Sequence, residues 1–313
     1  MNTHPSCTLS INVAVPDMPF LEFTIPHLVK SCNFPFKERM LVVDTAPLAS
    51  RYRNDPSVGT LEQLLEVCNR LKGLNVIDIV KMVDYSTKLR QKILWKHLGK
   101  STWETHDFRG APIYPYLYAY EISNSDYFLH FDSDMMFHQD NGENWISKGI
   151  QILRENEDVL SVTPLPGPPS KKGDLKQKDV QYKRDERGFY AFKEFTSRRF
   201  LFSRERFNSI LPIAPVHTSW KRKLLSKITR KSAMERWEFL ISLKLQSSKF
   251  IRADTSSPRA WTLHPLVRGH EFIEELPNII RRVEKGDFPE EQRGDYDLNF
   301  KAWTNRLASR SSC

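Results

Sequence analysis

Short apolar runs alternate with amphipathic segments along the first half of the chain. Four β-rich apolar runs occur, at residues 11–15, 40–43, 75–80 and 127–131. Apolar residues recur at helical spacing between them, in 20–32, 60–71, 86–98 and 114–122. Strands joined by helical crossovers form right-handed βαβ units with parallel strands. The pattern therefore predicts an α/β fold with a mostly parallel central sheet flanked by helices.

The second half of the chain continues this pattern less regularly. Strands are predicted at 159–163, 189–192, 200–202 and 250–253, and helices at 145–156, 204–211 and 235–245. We expect one main domain over residues 1–272 and a C-terminal helical or extended tail over 273–313. Residues 170–188 are polar and lack periodicity, so we expect either a mobile loop at the ligand edge of the sheet or an insertion without function.

Composition narrows the class of protein. The 313 residues carry a formal net charge of +9, which favours anionic partners. No apolar run is long enough to span a bilayer, and the N-terminal residues lack the features of a signal peptide. We therefore expect a cytoplasmic protein. Its four cysteines show no metal-ligand or disulfide spacing and are expected to be free thiols.

Residues 127–136 combine features that an ordinary buried strand does not have. The apolar run Tyr-Phe-Leu-His-Phe leads directly into Asp132-Ser133-Asp134. Alternate residues of an extended chain point the same way, so both carboxylates should face one side. Burying two unpaired charges is costly, and oxygen ligands suit a hard divalent cation. The alternative is a strand followed by a turn that an aspartate caps.

Basic residues concentrate between residues 221 and 231, around several large apolar side chains. A solvated helix face is the favoured interpretation, and contact with an anionic membrane or a phosphorylated acceptor is the alternative. The latter would place the protein peripherally at the inner face of the plasma membrane. No nucleic-acid-binding motif is present, so we expect no nucleic-acid partner.

Taken together, the motifs over residues 9–270 resemble those of GT-A (Rossmann-like) nucleotide-diphospho-sugar transferases, and among them family 2, the inverting glycosyltransferases. The residues that carry the resemblance are Ile11 to Val15, Leu41 to Asp44, Tyr127 to Asp134, Trp237-Glu238 and Trp261 to His264. The strand followed by Asp-x-Asp is the most specific of them. The resemblance implies a nucleotide-diphospho-sugar donor and a Mn²⁺ or Mg²⁺ cofactor.

Several roles follow from that resemblance. Asp134 is expected to bind the metal, with Asp132 on the metal or the donor ribose and His264 as a further metal ligand. Asp44 and Val15, each ending a strand, are expected at the donor nucleotide. Arg199, with its neighbour Arg198, would pair with the diphosphate, and surface charge is the alternative for both.

The catalytic base is assigned with a departure from the family pattern. An inverting transfer needs a carboxylate that accepts the proton of the attacking hydroxyl. Family 2 places it in an acidic pair at a helix start, and alignment puts Trp237-Glu238 over that pair. Glu238 is the predicted base and Glu235 the second candidate. Both are also suited to the helix dipole at that position.

The sequence thus predicts a metal-dependent, inverting hexosyltransferase acting on a glycan or lipid-linked acceptor, in surface polysaccharide or glycolipid biosynthesis. Two alternatives stay open: a sugar nucleotidyltransferase, and a non-catalytic basic protein that binds nucleic acid or membrane on a degenerate GT-A scaffold.

Overall fold

The computed structural model describes residues 5–47, 58–176, 180–229 and 231–308. The strands are β1 (Cys7–Val13), β2 (Glu38–Val43), β3 (Ile79–Met82), β4 (Tyr127–Asp132), β5 (Met136–Gln139), β6 (Val159–Thr163), β7 (Leu165–Pro166), β8 (Tyr182–Arg184), β9 (Phe189–Phe192), β10 (Arg199–Ser203), β11 (Ile251–Thr255) and β12 (Ala260–Leu263). The α-helices are α1 (Met18–Cys32), α2 (Leu61–Gly73), α3 (Thr87–Leu98), α4 (Tyr114–Ile122), α5 (Trp145–Glu155), α6 (Arg204–Ser209), α7 (Trp220–Thr229), α8 (Trp237–Gln246), α9 (His270–Glu284) and α10 (Phe300–Ala308).

A nine-stranded sheet in the order β3-β2-β1-β4-β10-β6-β11-β9-β8 forms the centre. Its strands β1, β2, β3 and β4 are mutually parallel, and β6 pairs with β11 in parallel. Within this sheet, β9 and β10 run against the other strands. The predicted α/β architecture, with a mostly parallel central sheet flanked by helices, is confirmed.

Helices cover both faces of the sheet, which explains the continuous apolar runs of its strands. In β2, Leu41 and Val43 pack in one core with α1, α2, α5 and α9, whereas Met40 and Val42 pack in the other core with α3, α4 and α8. Strands that are buried on both faces need apolar residues at every position, not at alternate ones.

Two strands differ in position from those predicted, for local reasons. β1 begins at Cys7, because Thr8 is buried there with its hydroxyl bonded to Ser125. Because Thr8 and Ser10 are polar, the apolar pattern did not indicate that the strand begins at Cys7. The third strand begins at Ile79, because Asn75 adopts φ 57° and residues 74–76 still bond back to the last turn of α2. The strands β5, β7, β8 and β12 were not predicted as separate strands.

The chain after α9 returns to the sheet edge. Gln292, fully buried, donates to the carbonyls of Asp295 and Asp297 and accepts from the indole of Trp303. His264 and Asp297 form a parallel β-bridge. The segment therefore lies beside the end of β12, and the domain boundary predicted at residue 272 stays a prediction.

Other expectations fall partly outside the described residues. In the segment 170–188, β8 pairs with β9, and residues 177–179 are not described. Its mobility stays a prediction. Cys7, Cys32 and Cys68 are buried free thiols, while Cys313 lies outside the described ranges. Across the described part of the chain, no helix is both long and apolar enough to cross a bilayer.

Because Gly167 has no side chain, the backbone of residues 290–298 can pack directly against it. Its φ is +84°, and a Cβ atom there would collide with the carbonyl oxygen of Asp295. Gly142 has a similar φ of +81°, with open space around the Cβ position. We expect Gly142→Ala to cost about 1–2 kcal/mol of unfolding free energy from the backbone alone. Gly167→Ala should cost roughly 1–3 kcal/mol more, from the collision.

Chemical denaturation of the two variants measures this difference. Equal losses for both would mean that residues 290–298 do not pack against Gly167 as described.

Candidate functional site

The site lies where β4 ends, at the edge at which β1 and β2 also end. Asp132 is the last residue of β4 and pairs with Asn12 of β1. Ser133 and Asp134 then form a turn, closed by the Met135 N–H bonded to the Asp132 carbonyl at 3.2 Å. The expectation that one extended strand orients both carboxylates is therefore wrong. A turn brings them together instead, and the charge of the partly exposed Asp132 acts on the buried Asp134.

Asp132 is held as a carboxylate. The Tyr116 hydroxyl donates to its Oδ1 at 2.9 Å, and His130 Nε2 lies 3.1 Å from the same atom. Burial alone would raise the pKa of Asp132. The hydrogen bonds from His130 and Tyr116 outweigh it and keep the pKa below its ordinary value.

The carboxylate of Asp134 is buried without a hydrogen bond from the described residues. Its side chain is 3% exposed, and neither carboxylate oxygen accepts a hydrogen bond from the described residues. Arg268 Nε lies 2.7 Å from Oδ2 in an ion pair that lacks hydrogen-bond geometry, and His264 Nε2 lies 3.5 Å away. Burial raises the pKa of Asp134 despite these cationic neighbours, and the charge of Asp132 adds to the rise.

His264 connects Asp134 to the C-terminal segment. Its ring stacks on Tyr296, with centroids 5.8 Å apart. Nδ1 lies 3.0 Å from Arg198 Nη1 and 3.7 Å from Asp297 Oδ1. A guanidinium only donates, so Nδ1 accepts from Arg198 and Nε2 bears the proton that points to Asp134. Donating Nδ1–H to Asp297 instead would free Nε2 as a metal ligand.

The two neighbouring arginines have different environments. Arg199 is 2% exposed and stacks over Tyr296 at 4.2 Å, within the sheet. Burial lowers its pKa. Arg198 is 38% exposed and, besides bonding His264, interacts electrostatically with Asp132 and Glu238. Of the pair, Arg198 is the one positioned to meet an anionic ligand.

The two candidate bases are also separated. Glu238 accepts from the Ser197 N–H at 3.4 Å, and its charge acts on Tyr116 and Arg198. It therefore belongs to the group around Asp132. Glu235 bonds through its backbone N–H to Val216. Trp237, which precedes Glu238, is buried in the core against Phe207.

The two residues predicted to contact the donor nucleotide, Asp44 and Val15, are already bonded to other side chains or buried. Asp44 follows β2, two strands from Asp132, which corresponds to roughly 10 Å across the sheet. Its Oδ1 accepts from the Tyr85 hydroxyl at 2.7 Å, and Oδ2 lies 3.2 Å from His106 Nε2. Val15 is buried in the core, 8% exposed, in a short 3₁₀ helix. Asp44 therefore lies apart from the carboxylates at the end of β4.

Several site residues were missed by the sequence analysis. Asp17 has a pKa raised to about 7 by burial, and Arg268 Nη1 lies 3.9 Å from it. Asn12 has a buried amide with no hydrogen-bond partner among the described residues. A lone polar residue in an apolar strand was the available signal for Asn12. For Arg268 and Tyr296, nothing in the local pattern marks a site.

The chemistry of these residues fits a divalent cation that a substrate helps to bind. Within the described ranges, no three His, Cys, Asp or Glu side chains converge as a complete metal site. Asp134, with both oxygens lacking hydrogen bonds, and Asp132 provide two carboxylates. Mg²⁺ and similar ions commonly take one or two protein carboxylates and complete their shell with water and substrate phosphates.

Comparison with known proteins gives fold likenesses only. No protein-family model matches the chain, and no curated protein matches it. Among solved structures, GalNAc-T7 with UDP, GalNAc and Mn²⁺ is 10% identical, with a TM-score of 0.48 over 83% of this chain and 43% of that one. TarS 1–349 of S. aureus, in complex with UDP-GlcNAc, is 12% identical, with a TM-score of 0.43 over 91% and 68%.

A UDP-glucose pyrophosphorylase complexed with UDP-glucose is also similar, at 12% identity and a TM-score of 0.44 over 88% of this chain and 99% of that one. The chain spans less than half the length of GalNAc-T7 and of the longer TarS structure. These distant likenesses include both transferases and a pyrophosphorylase, so they do not choose between the two activities.

The bond from Tyr116 to Asp132 makes a testable energetic difference. Tyr116→Phe removes a hydrogen bond to a charged acceptor, whose loss is expected to cost about 1.5–3 kcal/mol. Tyr114→Phe on the same helix removes a bond to the neutral carbonyl of Asp84, with an expected cost of about 0.5–1.5 kcal/mol. Urea denaturation at neutral pH compares them, and the reverse order would contradict an ionised Asp132.

Proposed function

We propose that this protein is a metal-dependent glycosyltransferase that transfers a sugar from a nucleotide-diphospho-sugar to an acceptor hydroxyl. The observation that carries the proposal is the buried carboxylate of Asp134. It accepts no hydrogen bond from the part of the chain that the structure describes, lies beside Asp132, and follows the edge at which parallel strands end. Ligands of α/β sheets bind at that edge. A buried carboxylate pair of this kind calls for a cation.

The residues around it suit the leaving group of such a transfer. Asp134 and Asp132, with His264, would hold Mn²⁺ or Mg²⁺, which supplies charge neutralisation for the departing diphosphate. Arg198 is exposed enough to donate to phosphate oxygens, whereas Arg199 is enclosed beneath Tyr296. We therefore assign the predicted diphosphate contact to Arg198. Arg268 would leave Asp134 when the cation binds.

Glu238 is the proposed general base, and its position supports an inverting, family 2 type of reaction. It shares its surroundings with Tyr116 and Arg198, which border Asp132. From there the carboxylate would accept the proton of the acceptor hydroxyl during attack on the anomeric carbon. A glycan or a lipid-linked sugar is the proposed acceptor, in surface polysaccharide or glycolipid biosynthesis.

A sugar nucleotidyltransferase is the second candidate, and one feature speaks against it. That class needs cations in the loop after the first strand to hold a nucleoside triphosphate. Here the loop forms a 3₁₀ helix that contributes Asp17 to the site. The loop Pro16-Asp17-Met18-Pro19 contains no lysine or arginine that could hold a triphosphate.

Removing the metal ligand tests the proposal. We expect Asp134→Asn to lose the rise in melting temperature that Mn²⁺ with UDP or GDP gives the parent protein, because a ligand stabilises only the state that binds it. It should also abolish transfer. Asp140→Asn, which changes a half-exposed aspartate after β5, serves as the control and should retain both. A full Mn²⁺-dependent shift in Asp134→Asn would contradict the metal assignment.

A matched pair of variants tests the base. Glu238→Gln should retain nucleotide binding by thermal shift and lower the transfer rate by about 100-fold or more, because general-base catalysis contributes 10²–10⁴-fold. Glu235→Gln should transfer at nearly the parent rate. If only Glu235→Gln loses transfer, the base is Glu235, three residues before Glu238. A product with the same anomeric configuration as the donor would exclude inversion.

A further inference from the structure

Helix α7 presents its apolar side to solvent, which is the reverse of what helices in globular proteins do. Trp220, Leu224 and Ile228 are 72%, 59% and 79% exposed, and Leu225 is 55% exposed. Residues four apart lie on one stripe of a helix. Ser226, on the opposite side of α7, is 4% exposed and faces the protein. The exposed apolar residues therefore form one continuous surface along the helix.

The charged residues in the segment that carries α7 are all basic. Lys221, Arg222 and Lys223 are all exposed in the first turn of α7. No acidic residue occurs in the chain between Glu205 and Glu235. Behind the helix, a cavity of about 410 Å³ is lined by three cations, Arg90, Lys100 and Lys223, and by one carboxylate, that of Glu104. Burial and the charge of Lys223 lower the pKa of Lys100.

The helix is carried on a fixed base. His217 and Met234 form an antiparallel bridge that closes the excursion containing α7. Glu104, buried, accepts from the N–H groups of Ala233 and Met234, and its Oε2 lies 2.9 Å from His217 Nε2. A buried carboxylate thus ties both sides of the excursion to the body, so the exposed face belongs to an anchored helix.

We propose that α7 is a membrane-docking helix that inserts this apolar surface into an anionic lipid bilayer. An exposed apolar stripe flanked by lysine and arginine is the pattern of helices that lie in the interface of a membrane. Anionic headgroups complement the cations of the first turn. A protein partner would need acidic groups around an apolar groove, whereas the exclusively basic charge of residues 206–234, which carry α7, favours a broad anionic surface.

The docking segment also bears on the acceptor of the proposed reaction. Only a short link separates the closing bridge at Met234 from α8, which carries Glu238 in its first turn. The docking segment and the helix of the proposed base are therefore adjacent along the chain, and this adjacency favours a lipid-linked acceptor. This consequence depends on the proposed function, whereas membrane binding by α7 does not.

Vesicle sedimentation of the full-length chain tests the docking. We expect binding to vesicles made from equal parts of phosphatidylcholine and phosphatidylglycerol, little binding to phosphatidylcholine alone, and weaker binding as salt increases. The double variant Trp220→Ser, Ile228→Ser should bind the anionic vesicles at least about tenfold more weakly. The reason is that it lacks two large apolar side chains whose transfer from water into the bilayer stabilises the bound state.

Matched controls separate insertion from general stickiness. Trp95→Ser and Leu74→Ser alter side chains of 64% and 68% exposure outside α7, and their double variant should bind like the parent. Lys221→Gln, Arg222→Gln should weaken binding to anionic vesicles, whereas Lys88→Gln, Lys92→Gln on α3 should leave most of it.

Three results would overturn the proposal. The first is no binding of the parent protein to anionic vesicles. The second is equal loss in the α7 variant and in its Trp95, Leu74 control. The third is binding that depends on the lysines and arginines alone, since α7 would then be a solvated basic face. Analytical ultracentrifugation without vesicles checks whether the protein is a dimer. A dimer that the Trp220→Ser, Ile228→Ser variant no longer forms would assign the exposed face of α7 to contact with a second copy of the chain.

Discussion

The buried carboxylate of Asp134 is the interaction on which the organisation of this site depends. A charge that is 3% exposed and has no hydrogen bond among the described residues needs compensation by cations. Arg268 pairs with it directly, and Arg198 reaches it through His264. Both arginines come from the C-terminal half, whereas the carboxylate comes from the fourth strand. The edge of the sheet is therefore complete only when the two halves have folded together.

Sheet topology explains how Arg198 arrives there. The strand β10 inserts antiparallel between β4 and β6, and its register places the Arg198 carbonyl 2.7 Å from the Asp132 N–H. Because side chains alternate along an extended chain, those of Arg199 and Arg198 point in opposite directions. Arg199 is buried against Tyr296, whereas Arg198 is partly exposed at the edge where ligands bind. One residue of register separates a buried structural arginine from one that is available to a substrate.

The sequence pattern predicts the layers of this fold well and its long-range contacts poorly. Periodicity places α4 at its observed bounds, and the apolar run before Asp132 identifies the decisive strand end. The turn at Ser133-Asp134 is only the alternative that the sequence offers, because an apolar continuation into β5 looks like an unbroken strand. Tyr296 and Arg268 depend on contacts with residues more than 100 positions away, such as Met135 and Asp134, and local periodicity carries no information about those contacts.

In helix α7, too, the local sequence pattern does not predict which side of the helix faces the protein. Its sequence has an apolar and a basic side, and such a pattern ordinarily predicts that the apolar side faces the core. Here the core contact is made by Ser226, and the apolar residues project outward from a base that Glu104 holds. Exposed apolar surface of this kind is retained at a cost in solubility, which an interaction offsets. Since the surrounding charge is positive and the neighbouring helix α8 carries the proposed base, an anionic bilayer that also contains the acceptor would account for both features at once.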